Sequence, residues 1–242
     1  PSGEIFVIGI YVDNLQIVHS TQLDSNGLAL DPSSFYASFL RKLKSDWEVV
    51  DEGVMSDLLG IEARYNADGS ITLHQEAYIK KLLSRFEIAV PSRMQSNTLP
   101  YSNDIQAHVI DALDGSTADA PSYPELVKPF QEKIGCLMYA CRSTRPDICY
   151  AVHLLCRVLS RPTPECMAEA DRVLAYLGRH PSVGLTYAAG PSAFRGFADA
   201  SWEVKNSTSG WVVLWPSAAL SWSSRKQKSV ALSTCEAEII AL

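Results

Sequence analysis

The apolar periodicity of this chain changes twice, and that change restricts it to a mixed fold. Residues 6–20, "FVIGIYVDNLQIVHS", hold two Ile/Val-rich runs around Asp13 and Asn14, the pattern of a β-hairpin with its turn on the two polar residues. Three later segments carry apolar residues at helical spacing: "YPELVKPFQEKIGCLMYACRS", "PDICYAVHLLCRVLS" and "PECMAEADRVLAYLGRH". Pro146 and Pro164 lie near the starts of the second and third, where a helix tolerates a missing N–H. From Gly184 the period becomes two, and "GLTY", "FRGFADASW", "SGWVVLW" and "ALSWSSRK" read as strands of an antiparallel sheet. Strands and helices in separate blocks predict an α+β fold.

The connecting stretches carry their own signals. "DPSSFYASFLRKLKSDWEVV" offers Asp31 as an N-cap, Pro32 at the first helical position, and Phe35, Phe39, Leu40 and Leu43 at helical spacing. "LLGIEARYNADGSITLHQ" reads as two strands joined by a turn containing Asp68 and Gly69. "EAYIKKLLSRF" then turns helical, with Tyr78, Ile79, Leu82, Leu83 and Phe86 on one face. Residues 88–122 hold Pro91, Pro100 and Pro121, many polar residues and no sustained periodicity, so a loop or linker is expected there. The chain opens inside a strand pattern and finishes on "STCEAEIIAL", a helix start without a stop signal. Both ends are therefore expected to be cuts.

Composition bounds the function. At 242 residues the chain can bury one large core or two small ones. It has no apolar run long enough to span a membrane and no signal-peptide pattern, so a soluble intracellular protein without a membrane partner is expected. The net charge of −6 argues against a freestanding nucleic-acid binder. The six cysteines show no CxxC spacing. Cys136, Cys141, Cys149 and Cys156 lie in apolar helical segments, where a free thiol behaves as a small core residue; a zinc site or a disulfide framework is the alternative. The histidines at positions 19, 74, 108, 153 and 180 form no metal-ligand spacing.

The order of the motifs resembles the Pol polyprotein of Ty1/copia-type retrotransposons over nearly the whole chain. The matching blocks are "YVDN" (family pattern YVDD), "LLGIEA" with "ITLHQEAYIKKLLSRF", "IGCLMYACRSTRPDICYAVHLLCRVLSRPT", "RVLAYLGRH" with "GLTY", and "GFADASW", "STSGWVV" and "ALSWSSRKQKSVALSTCEAEIIAL". The resemblance implies a reverse-transcriptase palm remnant and the start of the thumb over residues 1–88, and a linker over 89–122. A helical thumb or connection region would cover 123–187, and the N-terminal part of a ribonuclease H-like domain 188–242. Intact relatives copy RNA into DNA and degrade the RNA strand by two-metal catalysis.

The same resemblance assigns the candidate site residues. Hard cations such as Mg²⁺ seek carboxylate oxygens, and two of them clamp the attacking and leaving oxygens of nucleotide transfer. Asp13 matches the first aspartate of the polymerase pair, and Asn14 stands where the second belongs. Asn keeps a carbonyl oxygen but loses the charge that offsets dehydration of the cation. Asp199 in "FADAS" and Glu236 in "STCEAE" match the first two acids of the ribonuclease H cluster. Each acid also has a local explanation: a hairpin turn for Asp13, a solvent-facing strand position for Asp199, and a capping box with Ser233 for Glu236. The family takes further acids from stretches before Pro1 and beyond Leu242, so little or no catalysis is expected, and Mg²⁺ is implied by the resemblance alone.

Basic residues offer a nucleic-acid contact on the same grounds. Lys80 and Lys81 would track a template–primer backbone, or simply solvate a helix face. Arg225, Lys226 and Lys228 in "SSRKQK" form the densest basic run and are the candidates for contact with an RNA–DNA hybrid. Arg145 in "STRPD" would contact a phosphate, pair with Asp147, or cap a helix C-terminus. The implied partners are an RNA template, an RNA–DNA hybrid and the remainder of the polyprotein. The implied location is the cytoplasm, in virus-like particles for intact relatives, with the nucleus as the alternative. The competing function is a non-catalytic nucleic-acid- or protein-binding remnant.

Overall fold

A computed structural model describes residues 3–24, 27–90, 99–114, 122–190, 193–203 and 206–242. The chain divides into two compact units, Pro1–Ser56 and Asp57–Leu242. The helix after Ser56 packs with the later helices, and the strands before it share a sheet with a later strand.

In the first unit, β1 (Phe6–Tyr11) and β2 (Asn14–His19) pair antiparallel from Phe6↔His19 to Tyr11↔Asn14. The two-residue turn is therefore Val12–Asp13, one position earlier than expected, with Val12 held at a φ of 54°. Asn14 belongs to the strand. Helix α1 (Phe35–Asp46) packs on β1 through aromatics, Phe6 lying 4.8 Å from Phe35 and 5.2 Å from Phe39. Its N-cap is Ser34, whose hydroxyl accepts from the Ala37 amide at 3.2 Å. Asp31, the expected cap, instead binds the Ser33 amide and hydroxyl. Among its described residues this unit fully buries no large apolar side chain, and Ile10, Val12 and Trp47 stay exposed.

The second unit holds the core. Strands β3 (Asp57–Leu58), β4 (Ile61–Tyr65) and β5 (Ile71–His74) form a meander, with Gly69 at a φ of 81° and Asp68 receiving the Ser70 amide at the expected turn. Next come α2 (Glu76–Arg85), α3 (Ile105–Asp114), α4 (Pro124–Ser143), α5 (Cys149–Leu155) and α6 (Pro164–Arg179). Short 3₁₀ turns at Pro146–Ile148 and Cys156–Val158 flank α5. Helix α3 corrects the expected linker. Ile105, Val109 and Ala112 recur at i, i+4 and i+7 and are buried, which is enough to dock ten residues although Gln, His and Asp interrupt the stripe. Pro91 and Pro121 of that linker lie outside the described residues. Phe130, Ile134 and Leu137 of α4 meet Val152 and Leu155 of α5 and Val173, Leu174 and Leu177 of α6 in one cluster.

Strand β6 (Leu185–Tyr187) does not join the later strands. It pairs antiparallel with β5, so the first sheet has the order β3-β4-β5-β6. The Thr72 and Thr186 hydroxyls, 2.9 Å apart, fix that register. The second sheet is β7 (Arg195–Ser201), β8 (Thr208–Trp215) and β9 (Ala218–Lys226) in sequence order, followed by α7 (Thr234–Ala241). Trp222 of β9 reaches the helical cluster and donates its indole N–H to the Cys141 carbonyl at 2.9 Å.

Candidate functional site

Asp13 occupies the exposed tip of the first hairpin, with Asn14 beside it paired to Tyr11. The two paired strands fix the backbone on either side of Asp13, and the neighbouring residue contributes an amide where a second acid would double the charge.

Asp199 sits mid-strand in β7 opposite Gly210, which in turn faces Ser224 of β9. Ser209, on the other face by alternation, is tied through the Gln227 side-chain amide to the Ala237 carbonyl of α7, at 2.9 and 2.8 Å. Helix α7 therefore packs on the face opposite Asp199. Glu236 lies in its first turn. The Glu236 amide donates to Ser233 Oγ at 3.1 Å, and its carboxylate accepts the Leu232 amide at 2.7 Å. That is a capping box shifted by one residue. No group of three acids with converging oxygens occurs among the described residues. The donor set thus does not fit a two-Mg²⁺ centre, which needs several hard oxygens around each ion.

The basic candidates divide by their partners. Lys80 bridges to Glu76 at 2.7 Å one helical turn back, which lowers the Glu76 carboxyl and raises the Lys80 amine. Lys81 is exposed on the same helix. Lys226 is held by Glu203 and by the Asn206 carbonyl, so it belongs to the sheet's own network. Arg225 and Lys228 stand exposed at the end of β9 and just beyond it. Arg145 is fully buried, and its guanidinium is occupied by Asp147 and by the His180 carbonyl at the C-terminus of α6. The phosphate reading of Arg145 is thereby overturned.

The structure also assembles a group that spacing did not reveal. Cys141 in the last turn of α4 faces Cys149 and His153, one turn apart on α5, and their ligand atoms all lie within 4.8 Å of one another. The Cys141 thiol beside Cys149 pulls the Cys149 pKa down to about 5, with His153 and the Ser224 amide acting the same way against burial. The same neighbour, together with burial, pushes Cys141 up. The signal was present: Cys149 and His153 are four residues apart on a segment already read as helical. Their third member comes from across the "STRPD" turn and has no sequence mark of its own.

No protein-family model matches the chain, and no solved structure matches it. Curated proteins do. Over 249 aligned positions it is 28% identical to the retrovirus-related Pol polyprotein from transposon TNT 1-94 of Nicotiana tabacum, covering 99% of this chain and 17% of that one. Over 247 positions it is 30% identical to a transposon Ty5-1 protein of Saccharomyces cerevisiae, covering 98% and 71%. It is also similar to secreted RxLR effector protein 161 of Plasmopara viticola, 38% identical over 119 positions that cover 47% of this chain and 84% of that one. The two alignments that run the length of the chain define its class as a protein of mobile genetic elements. The chain belongs to the Pol polyproteins of Ty1/copia-type retrotransposons, and it spans about a sixth of the tobacco polyprotein's length.

Proposed function

We propose that the chain is a stretch of retrotransposon polyprotein that keeps reverse-transcriptase and ribonuclease H-like folds without two-metal catalysis. In this reading the hairpin, β3–β5 and α2 derive from the palm and the start of the thumb. Helices α4–α6 derive from the thumb or connection region, and β7–β9 with α7 from the ribonuclease H-like domain. Asp13 descends from a polymerase metal ligand, and Asp199 and Glu236 from ribonuclease H ligands. The carrying observation is that α7 is tied to the face of the sheet opposite Asp199, with the Glu236 carboxylate bonded to the Leu232 amide as a helix cap. Asn14 adds to it, because loss of a full charge beside two Mg²⁺ ions removes several kcal/mol of transition-state stabilisation.

The purified chain with Mg²⁺ is expected neither to extend a primer on an RNA template nor to cleave the RNA of an RNA–DNA hybrid. Product above a buffer control in either assay overturns the reading.

Exposed Arg225 and Lys228 at one sheet edge favour a second reading, a non-catalytic module that holds nucleic acid for the remainder of the polyprotein, in the cytoplasm or the nucleus. Affinity for an RNA–DNA hybrid that falls steeply with salt, and weakens when both residues are changed to Ala, supports it. No binding at low salt rules it out.

A further inference from the structure

The cysteine–histidine group takes no part in the reading above. Three elements hold it in place. Arg145, pinned to Asp147 and to the end of α6, fixes the turn that folds α5 back against α4 and so sets Cys141 opposite Cys149. Trp222 of β9 anchors the Cys141 carbonyl. Helical spacing then puts His153 over Cys149, with Nδ1 at 3.3 Å from Sγ. Both cysteines are buried, while His153 is partly exposed and is the member of the group that meets solvent.

The geometry and the donors are those of a metal site. A tetrahedral ion bound at about 2.3 Å by thiolates and about 2.0 Å by an imidazole separates its ligand atoms by roughly 3.6 Å. A group already within 4.8 Å needs only a small closure to reach that. Two thiols and an imidazole are soft to borderline donors, which select zinc(II) or copper(I) and reject magnesium. Two thiolates also neutralise a dication, so the loaded site would carry no net charge into the core.

We propose that Cys141, Cys149 and His153 form a binding site for a thiophilic d¹⁰ cation of the zinc(II) type, with solvent as the fourth ligand. Both cysteines bind as thiolates, and any thiol proton still held is released to water on loading. Loading uses the tautomer of His153 with the proton on Nε2, and so gives up the present 2.9 Å contact between Nδ1 and the Cys149 carbonyl.

The full chain, purified anaerobically with a non-thiol reductant, would be titrated with Co²⁺ as a spectroscopic stand-in and then with Zn²⁺. One Co²⁺ per chain is expected, with tetrahedral ligand-field bands and a thiolate-to-cobalt charge-transfer band of two-thiolate intensity, all bleached by equimolar Zn²⁺. Cys149→Ser should lose most of the charge-transfer band, and His153→Gln should raise the Co²⁺ half-saturation at least about tenfold. Cys156→Ser, which alters a neighbouring thiol outside the group, should change neither. Circular dichroism shows which variants fold; if a buried-cysteine variant does not, the wild-type stoichiometry and band intensity decide. A wild-type spectrum without charge transfer overturns the proposal. So does binding unchanged in folded Cys149→Ser, or a Cys141–Cys149 disulfide already present in the purified chain that resists the reductant and blocks Co²⁺.

Discussion

Arg145 and Asp147 form a two-pronged ion pair, Nε to Oδ1 at 3.0 Å and Nη2 to Oδ2 at 2.7 Å, with the guanidinium completely buried. The third prong, Nη1 to the His180 carbonyl at 2.8 Å, ties the start of one 3₁₀ turn to the end of α6 across 35 residues. Tyr176 closes the set by donating to Asp147 Oδ2 at 2.9 Å. Removing one member of a buried pair leaves the other uncompensated, which costs far more than the pair itself is worth. Asp147→Asn is therefore expected to destabilise the second unit by about 3 kcal/mol, as read by chemical denaturation. Arg145→Lys should cost nearly as much, since an ammonium cannot reproduce the planar fork. A change under 1 kcal/mol in both would show that water already solvates the pair.

Two glycines should respond in opposite directions. A methyl group at Gly184 would stand 2.0 Å from the Leu73 carbonyl oxygen, and that oxygen cannot retreat without opening the β5–β6 ladder. Gly184→Ala is expected to cost at least about 2 kcal/mol. Gly135 is exposed within α4, and an added methyl meets nothing within 4 Å. Gly135→Ala should stabilise by about 0.5–1 kcal/mol through helix propensity. Paired thermal melts test both signs at once.

The start of α7 separates a cap from a metal ligand. Ser233→Ala should cost about 1 kcal/mol, and Glu236→Ala about as much through the bond lost to the Leu232 amide. Mg²⁺ should leave the melting temperature of the wild type and of Glu236→Gln equal within error. A Mg²⁺-dependent rise in the wild type that the variant lacks would mean the carboxylate prefers the ion to the helix end.

These features differ in how far the sequence betrayed them, and the differences are physical. The Asp68–Gly69 turn and the Ser233/Glu236 cap were legible because each is set by residues a few positions apart. The hairpin was legible too, but not its register: Asp and Asn suit a turn equally, and the strand pairing chose Val12–Asp13. Helix α3 was hidden because its buried stripe is only Ile105, Val109 and Ala112, too short for periodicity to stand out among polar residues. The partner of "GLTY" was hidden because Thr72 and Thr186 are 114 residues apart, and alternation says which face a residue takes but not which strand it meets. The Cys141–Cys149–His153 group was half legible, as an i, i+4 pair on a helix; its closure depends on the turn that Arg145 fixes.

Alkaline pH should loosen the second unit through its tyrosines. Burial, as the leading cause, raises the phenols of Tyr78, Tyr150, Tyr176 and Tyr187 above the usual value of 10.0. Asp147 adds to the effect at Tyr176. Tyr78 and Tyr187 also donate to backbone carbonyls, those of Cys136 at 3.2 Å and Ala219 at 2.7 Å, and so need their protons to bond. Above pH 10 the unfolded chain releases protons that the folded chain still holds. Stability from these groups is thus fully present below that pH and is lost as pH rises toward the folded values. Spectrophotometric titration is expected to show these phenols ionising late, in step with unfolding rather than before it. Tyr187→Phe should cost about 0.5–1.5 kcal/mol at neutral pH through the lost hydrogen bond and should flatten the alkaline decline. All ten tyrosines titrating together near 10 in a chain that remains folded would mean that water reaches these phenols.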